Sequence, residues 1–204
     1  MVLRHWLSQF ILNCFRPRRE SARLPAFRRP EPGIRRGELR FQGMAVAERI
    51  QEVRSEITEL AETAPTANDL MRSMVKLLHD RMLKYNWVGF YMLEPGAQPP
   101  VLVLGPFEGA MTPHVRIPLN EGICGAAASS GQTVVVDDVS KDPRYLACSL
   151  ETKSEIVVPI FAGGEVIGEL DIDSHFPAAF TSEHQALVQH CAMLVGKRLE
   201  TTSS

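Results

Sequence analysis

Within residues 122–174 the chain carries five side chains whose types can do chemistry together: Cys124, Cys148, Glu155, Asp171 and Asp173. A thiolate is a nucleophile and can be oxidised reversibly, and a carboxylate can bind a cationic group or transfer a proton. The combination predicts redox chemistry on a small polar molecule.

Asp171 and Asp173 lie on a segment in which polar and aliphatic residues alternate, as they do in a β-strand with one buried face. Glu169, Asp171 and Asp173 fall on one face of the strand 165–173, and the aliphatic residues fall on the other. We expect the aliphatic face to pack against helices. The acidic face is either a solvated outer surface or, because neighbouring aspartates repel each other, a pocket for an ammonium group.

Glu155 lies near the start of the preceding strand. The register of the hairpin decides on which face of the sheet its side chain lies. A plain two-residue turn at Gly163–Gly164 would place Glu155 opposite Ile172, on the wrong face. A shift of one residue, such as a bulge at Gly164 would supply, brings Glu155 to the side of Asp171 and Asp173. The three-acid site therefore depends on a bulge.

The cysteines fall in different predicted environments. Cys124 lies at the start of a short helix, where we expect the helix dipole to stabilise a thiolate, and Cys148 lies in a polar loop. Cys191 lies on the apolar stripe of the last helix and is expected in the core. A zinc site formed by Cys124, Cys148, His114 and His175 lacks a close ligand pair, so we expect no metal.

The hydrophobic periodicity predicts an α+β fold. Helices are expected over 46–63, 66–84, 123–130 and 182–199, and strands over 86–93, 101–105, 115–119, 133–139, 154–161 and 165–173. We expect a roughly six-stranded antiparallel sheet with the N- and C-terminal helices packed on one face. Trp87 and Tyr91 share a face of the first strand, where core packing and pocket lining are both open.

The first 43 residues differ in composition from the rest. They carry ten arginines, no lysine and three glutamates, a net charge of +7, whereas residues 44–204 have a net charge of −9. We expect residues 1–43 to be a disordered or untranslated leader and residues 44–204 to be the folded domain. An organelle transit peptide, or a basic tail that binds a membrane or a partner, is the alternative.

Composition also limits partners and compartment. The acidic body predicts no nucleic-acid binding, and the apolar run near residues 6–15 is too short and too polar to cross a membrane. Four cysteines at wide, irregular spacings are not a disulfide framework, so we expect a reducing, cytoplasmic location. The narrow apolar stripe of the helix 46–60 suggests a helix–helix contact, and a homodimer is a hypothesis.

Seven segments with distinctive sequences follow one another along the chain: NWVGFY (86–91), LGPFEG (104–109), RIPLNEGICG (116–125), VVDDV (135–139), YLAC (145–148), SEIVVPI (154–160) and VIGELDIDS (166–174). In this order they resemble the free methionine-(R)-sulfoxide reductases, which are single GAF domains. The resemblance implies a GAF fold over residues 46–199.

The resemblance also implies roles for residues of this chain. Cys148 would attack the sulfoxide sulfur of free methionine sulfoxide, and Glu155, Asp171 and Asp173 would hold the substrate. Trp87 and Tyr91 would pack around its S-methyl end. Thioredoxin would be the external reductant, and no bound cofactor is expected.

One position departs from the family. A third cysteine, able to pair with the attacking cysteine, commonly precedes the segment RIPL, and here that position is His114. Turnover would then use Cys124 as the resolving thiol, use an external thiol, or be lost. The alternative functions are a GAF sensory module that binds a small ligand and a non-catalytic redox sensor.

Overall fold

A computed structural model describes residues 36–146 and 149–202 of the chain. The predicted leader is therefore outside the described residues, apart from its last part. Helix α1 (Arg36–Thr63) begins before Met44 and continues through the predicted helix without a break. Helix α2 (Ala67–Arg81) follows, and Thr66 caps it, since its hydroxyl accepts a hydrogen bond from the Asp69 amide at 3.1 Å.

Six strands of the described chain form one antiparallel sheet. They are β1 (Trp87–Leu93), β2 (Val101–Glu108), β3 (Arg116–Pro118), β4 (Val134–Val136), β5 (Ser154–Ala162) and β6 (Glu165–Ser174), and their order in the sheet is β3-β2-β1-β6-β5-β4. Helix α3 (Gly122–Ser130) connects β3 to β4, and helix α4 (Ser182–Thr202) ends the described part. The α+β prediction is confirmed.

One face of the sheet packs against helices α1, α2 and α4. Its core contains Val88 and Phe90 of β1, Ile156, Val158 and Ile160 of β5, and Leu170 and Ile172 of β6. Cys191 is buried in this core as predicted, and burial raises the pKa of its thiol to about 12. The narrow stripe of α1 is occupied within the chain, because Ile50, Val53 and Ile57 are buried in the same core. The buried part of this stripe is not available for a two-fold contact, whereas Val46 at its start is 47% exposed. The homodimer stays a hypothesis.

The opposite face of the sheet packs against the small-residue helix α3. Its apolar cluster includes Trp87 and Tyr91 of β1, Val157 of β5, and Ile123 and Cys124 of α3. Helix α3 ends at Gly131, which adopts the left-handed backbone conformation (φ 64°). Both faces of the central strands are thus covered, and the acidic residues of β6 lie under α3. Among the described residues, no helix combines the length and the apolar character that crossing a membrane requires.

Candidate active site

The acidic residues of β6 are buried, so the solvated-surface interpretation is wrong. Glu169, Asp171 and Asp173 are 0%, 2% and 4% exposed. Asp173 lies between Trp87 of β1 and Glu155 of β5, which are its partners in the sheet. Glu155 is itself 5% exposed. The structure therefore brings the three predicted acids together in one buried cluster.

The register shift that this arrangement requires is present, but not at the predicted position. Glu155 pairs with Asp173, and Ile160 pairs with Gly168. Nearer the turn the register changes, because Phe161 pairs with Val166 and leaves Ile167 as the extra residue. The prediction of a bulge at Gly164 is corrected to one at Ile167, because the turn itself closes normally through Ala162 and Glu165.

Helix α3 places the thiol of Cys124 directly over the acids. The Cys124 Sγ donates a hydrogen bond to Asp171 Oδ2 at 3.5 Å, and its distance to Glu155 Oε1 is 4.0 Å. Cys124 is only 6% exposed. The site therefore combines a thiol with four carboxyl groups in a volume that little water reaches.

Burial makes every carboxyl group of this cluster a weak acid. It raises the pKa of Glu169 to about 8 and also raises the pKa of Glu155, Asp171 and Asp173 above the usual range. Neighbouring negative charges add to the effect: Asp171 acts on both Glu155 and Asp173. Without a bound cation, the cluster retains protons at neutral pH.

The same environment reverses our expectation for Cys124. Burial, followed by the charges of Asp171, Glu169 and Glu155, raises the pKa of the Cys124 thiol well above its ordinary value. A helix dipole contributes at most about 2 kcal/mol toward an anion at its N-terminus. Desolvation and several nearby carboxylates outweigh that contribution, so Cys124 is a neutral thiol in the resting protein.

Trp87 and Tyr91 both lie on the acidic side of β1. The Trp87 indole donates a hydrogen bond to the Ala110 carbonyl at 3.0 Å, and the Tyr91 hydroxyl donates one to the His114 carbonyl at 2.8 Å. Their ring centroids are 6.1 Å apart. The segment between β2 and β3 thus fixes two aromatic rings beside the acids.

Gly89 makes the position of the indole possible. A Cβ atom built on Gly89 would lie 2.2 Å from the Trp87 ring, and Gly89 pairs with Asp171 in the sheet. The indole therefore lies over the backbone of β1 at residue 89, beside the strand position that Asp171 occupies. Any side chain at residue 89 would displace the ring from the site.

We expect Gly89→Ala to lower the free energy of unfolding by about 1–3 kcal/mol, because the added methyl overpacks the Trp87 ring. Urea unfolding of the two proteins measures the difference. In a Trp87→Leu background, where no ring covers residue 89, the same substitution should cost much less. Equal losses in both backgrounds would contradict this account of Gly89.

The segment that leads to Cys148 lies against the start of α3. A Cβ atom at Gly122 would lie 2.9 Å from Leu146 Cδ1, which shows how closely the two residues pack. Arg144 forms an ion pair with Asp142 at 2.6 Å. The charges of Asp142 and Arg144 both interact with Glu155, so this loop borders the acidic cluster. Cys148 itself lies outside the described residues.

The described residues contain one set of donor atoms with metal-like spacing. Cys124, Glu155 and Asp171 each place one such atom within 4.8 Å of the others, and the set includes no histidine. Structural zinc sites use four sulfur or nitrogen ligands. The set of Cys124, Glu155 and Asp171 differs from such a site, because two of its three donors are carboxylate oxygens.

Sequence reasoning omitted Glu169 from the site, although strand alternation put it on the same face as Asp171. Burial was the missing information. Glu169 is completely buried, and neither of its carboxyl oxygens has a hydrogen-bond partner among the described residues.

Comparison with known proteins places the chain in a family. The GAF domain profile matches residues 66–199. The free methionine-R-sulfoxide reductase of Escherichia coli is 39% identical over 126 residues, which are 62% of this chain and 73% of that protein. The Saccharomyces cerevisiae protein of the same name is 40% identical over 113 residues, 55% of this chain and 62% of that protein.

A solved structure agrees with these sequence matches. It is the free methionine-R-sulfoxide reductase of Neisseria meningitidis in complex with its substrate, with 33% identity and a TM-score of 0.71. The match covers 78% of this chain and 93% of that one. The sequence resemblance and the GAF fold are thus confirmed: the chain belongs to the GAF domain family and, within it, to the free methionine-R-sulfoxide reductases.

Proposed function

We propose that this protein reduces free methionine-R-sulfoxide to methionine. The observation that carries the proposal is the buried cluster of Glu155, Asp171 and Asp173 beside Trp87 and Cys124, on a chain about 40% identical to reductases of that name. A free amino acid offers an ammonium group to the carboxylates and a methyl group to the aromatic rings. The cluster matches both ends of such a substrate.

Substrate binding sets the protonation of the site. Glu155, Asp171 and Asp173 hold the ammonium group, and its positive charge lowers their raised pKa values, so that they ionise on binding. A proton that remains in the cluster protonates the sulfoxide oxygen as the sulfur is attacked. Clustered carboxyls suit this role because adjacent negative charges resist joint ionisation.

The chemistry then uses two thiols in sequence. Cys148 attacks the sulfoxide sulfur; methionine leaves and the oxygen remains on Cys148 as a sulfenic acid. Cys124 attacks that sulfenic acid, a disulfide forms, and water leaves. The dithiol of thioredoxin reduces the disulfide and regenerates both thiols. No bound cofactor is required in this cycle.

The assignment of roles to the two thiols rests on their surroundings. Cys124 is buried among acids that keep it protonated, which makes it a poor first nucleophile. Leu146, two residues before Cys148, packs against Gly122, two residues before Cys124. Two extended residues span at most about 7 Å, so the chain tethers Cys148 to a residue that packs at the start of α3. This tether supports Cys124 as the resolving thiol in a chain where His114 occupies the position of the family's third cysteine.

We expect the full-length protein, with thioredoxin, its reductase and NADPH, to consume half of a racemic sample of free methionine sulfoxide, namely the R epimer. It should not reduce methionine sulfoxide within a peptide, because peptide-bound methionine has no ammonium group for the three carboxylates. Chiral chromatography and NADPH oxidation measure both results. Comparable rates on a peptide would contradict the assignment of the acids, and no reduction of either epimer would refute the function.

A further inference from the structure

Several oxygens of the buried acidic cluster lack a partner. Oδ1 of Asp171, Oδ1 of Asp173 and both carboxyl oxygens of Glu169 are buried and accept no hydrogen bond from the described residues. The three side chains are no more than 4% exposed. Leaving a buried polar group unpaired is unfavourable, and leaving a charged one unpaired is more so. Carboxyl oxygens in such a place bind either protons or a cation.

The thiol of Cys124 faces two of these acids at distances that a metal ion can bridge. The Cys124 Sγ lies 3.5 Å from Asp171 Oδ2 and 4.0 Å from Glu155 Oε1, and one donor atom of each residue lies within 4.8 Å of the others. In a tetrahedral zinc site, a zinc–sulfur distance of about 2.3 Å and a zinc–oxygen distance of about 2.1 Å place sulfur and oxygen about 3.6 Å apart. The two observed separations bracket this value. An ion can therefore contact the thiolate and both carboxylates after small side-chain movements.

The mixture of donor atoms selects the kind of ion. Mg²⁺ and Ca²⁺ bind oxygen ligands, whereas a thiolate favours a softer ion. Zn²⁺ accepts both thiolate sulfur and carboxylate oxygen. Its double positive charge also offsets most of the repulsion between the thiolate and the two carboxylates of the set. A closed structural site has four protein ligands, but a site with three protein ligands leaves the fourth position to water and stays open to exchange.

We propose that Cys124, Glu155 and Asp171 bind a zinc ion in the reduced protein, and that zinc and the amino acid substrate exclude each other. The Cys124 proton passes to solvent as the sulfur binds the ion. The ion then occupies the carboxylate oxygens that would otherwise hold the ammonium group. No oxidation state changes, so a chelator reverses the block. The competition with substrate rests on the proposed function, whereas the binding of the ion does not.

Cobalt(II) is the spectroscopic probe for this site, because it accepts the ligands that zinc accepts and its absorption reports on them. Full-length reduced protein, titrated with Co²⁺ in the absence of oxygen, should show a thiolate-to-cobalt charge-transfer band that saturates at one ion per chain. Zn²⁺ should abolish the band. Cys124→Ser should lack it. Asp171→Asn should weaken cobalt binding by at least about tenfold, since even residues that only orient a ligand contribute that much. Cys191→Ala is the control and should keep both the band and the affinity, because Cys191 lies in the core on the other face of the sheet.

Competition is measured by repeating the cobalt titration with an amino acid present. Free methionine should weaken cobalt binding, because its ammonium group needs the oxygens of Glu155 and Asp171. Alanine is the matched control: it chelates cobalt in solution through the same amino and carboxyl groups, but it has no side chain to pack against Trp87 and Tyr91. Equal effects of methionine and alanine would show that metal and substrate occupy different places.

Inhibition is measured on the first turnover, without thioredoxin, so that zinc cannot act on the reductant. Zinc should suppress the release of methionine by the wild-type protein, and EDTA should restore it. In Cys124→Ser, the zinc concentration that halves the methionine released by this variant should be at least about a hundredfold higher, because the ion has lost its only sulfur ligand. Equal sensitivity of the two proteins would show that zinc acts elsewhere, for example at Cys148.

The remaining outcomes separate the metal site from the proposed function. A charge-transfer band that persists in Cys124→Ser, or that never forms in the wild-type protein, would refute the zinc site and leave the reductase activity untouched. A protein that binds cobalt through Cys124 but forms no methionine from methionine sulfoxide would keep the zinc site and refute the proposed function. If Asp171→Asn does not fold, Glu155→Gln allows the same comparison of cobalt affinity.

Discussion

Cys148→Ser is expected to abolish methionine formation completely, including the first turnover. A serine hydroxyl does not accept the sulfoxide oxygen, and Cys124 cannot replace Cys148 because its surroundings keep it protonated. The measurement is methionine released per mole of protein, with dithiothreitol in place of thioredoxin so that recycling does not limit the result. Cys191→Ala is the control, since Cys191 lies in the core on the other side of the sheet and should not affect activity.

Cys124→Ser should behave differently and release about one equivalent of methionine. Thioredoxin-driven cycling should then fall by at least about a hundredfold, because the sulfenic acid of Cys148 finds no resolving thiol. Peptide mapping of the oxidised wild-type protein should show a Cys124–Cys148 bridge. If Cys124→Ser cycles normally with thioredoxin, Cys124 is only a packing residue and an external thiol resolves the intermediate.

The sequence predicted the acidic face of β6 but not its burial. Alternation places Glu169, Asp171 and Asp173 on one side whatever covers that side. Whether water or a helix lies there depends on α3, a nine-residue helix of small residues that has no amphipathic pattern of its own. Glu169 was omitted from the candidate site for this reason. The periodicity of a strand predicts on which face a side chain lies, but it does not predict how deeply a neighbouring helix buries that side chain.

The hairpin shows a second limit of sequence reasoning. Convergence of Glu155 with Asp171 required one extra residue between them, and the structure confirms it. Gly164 was the expected position because glycine accepts unusual backbone angles. The structure instead uses both Gly163 and Gly164, with φ of 60° and 85°, to make the tight turn itself. The extra residue is then accommodated at Ile167, within an ordinary strand sequence that gives no local signal of a bulge.

The raised pKa values of the acids also predict that the protein loses stability as the pH rises. Each carboxyl in the cluster binds a proton more tightly in the folded protein than in the unfolded chain. Between about pH 4.5 and 8 the folded protein therefore holds more protons, and the free energy of unfolding falls with increasing pH. For Glu169 alone, a pKa near 8 against an ordinary value near 4.3 corresponds to several kcal/mol, at about 1.4 kcal/mol per pH unit.

We expect urea unfolding to give a maximum of stability near pH 5 and a decrease of at least several kcal/mol by pH 8. Surface carboxyls such as Asp80, Glu94 and Asp142 have lowered pKa values and act in the opposite direction, but only below about pH 4. Glu169→Gln should reduce the slope, since it removes one of the titrating groups and leaves a neutral side chain of the same size. A profile that is flat between pH 5 and 8 would contradict the raised pKa values.

A ligand with an ammonium group should reverse this trend, because it supplies the positive charge that the ionised cluster lacks. By linkage, methionine should stabilise the protein more at pH 8 than at pH 5, where its binding must first displace protons. Calorimetric titrations at pH 7 in buffers of different ionisation enthalpy should show protons released on binding. N-acetylmethionine, which has no ammonium group, is the control and should neither release protons nor restore stability. An equal effect of the two compounds would mean that the carboxyls of Glu155, Asp171 and Asp173 do not hold the amino group.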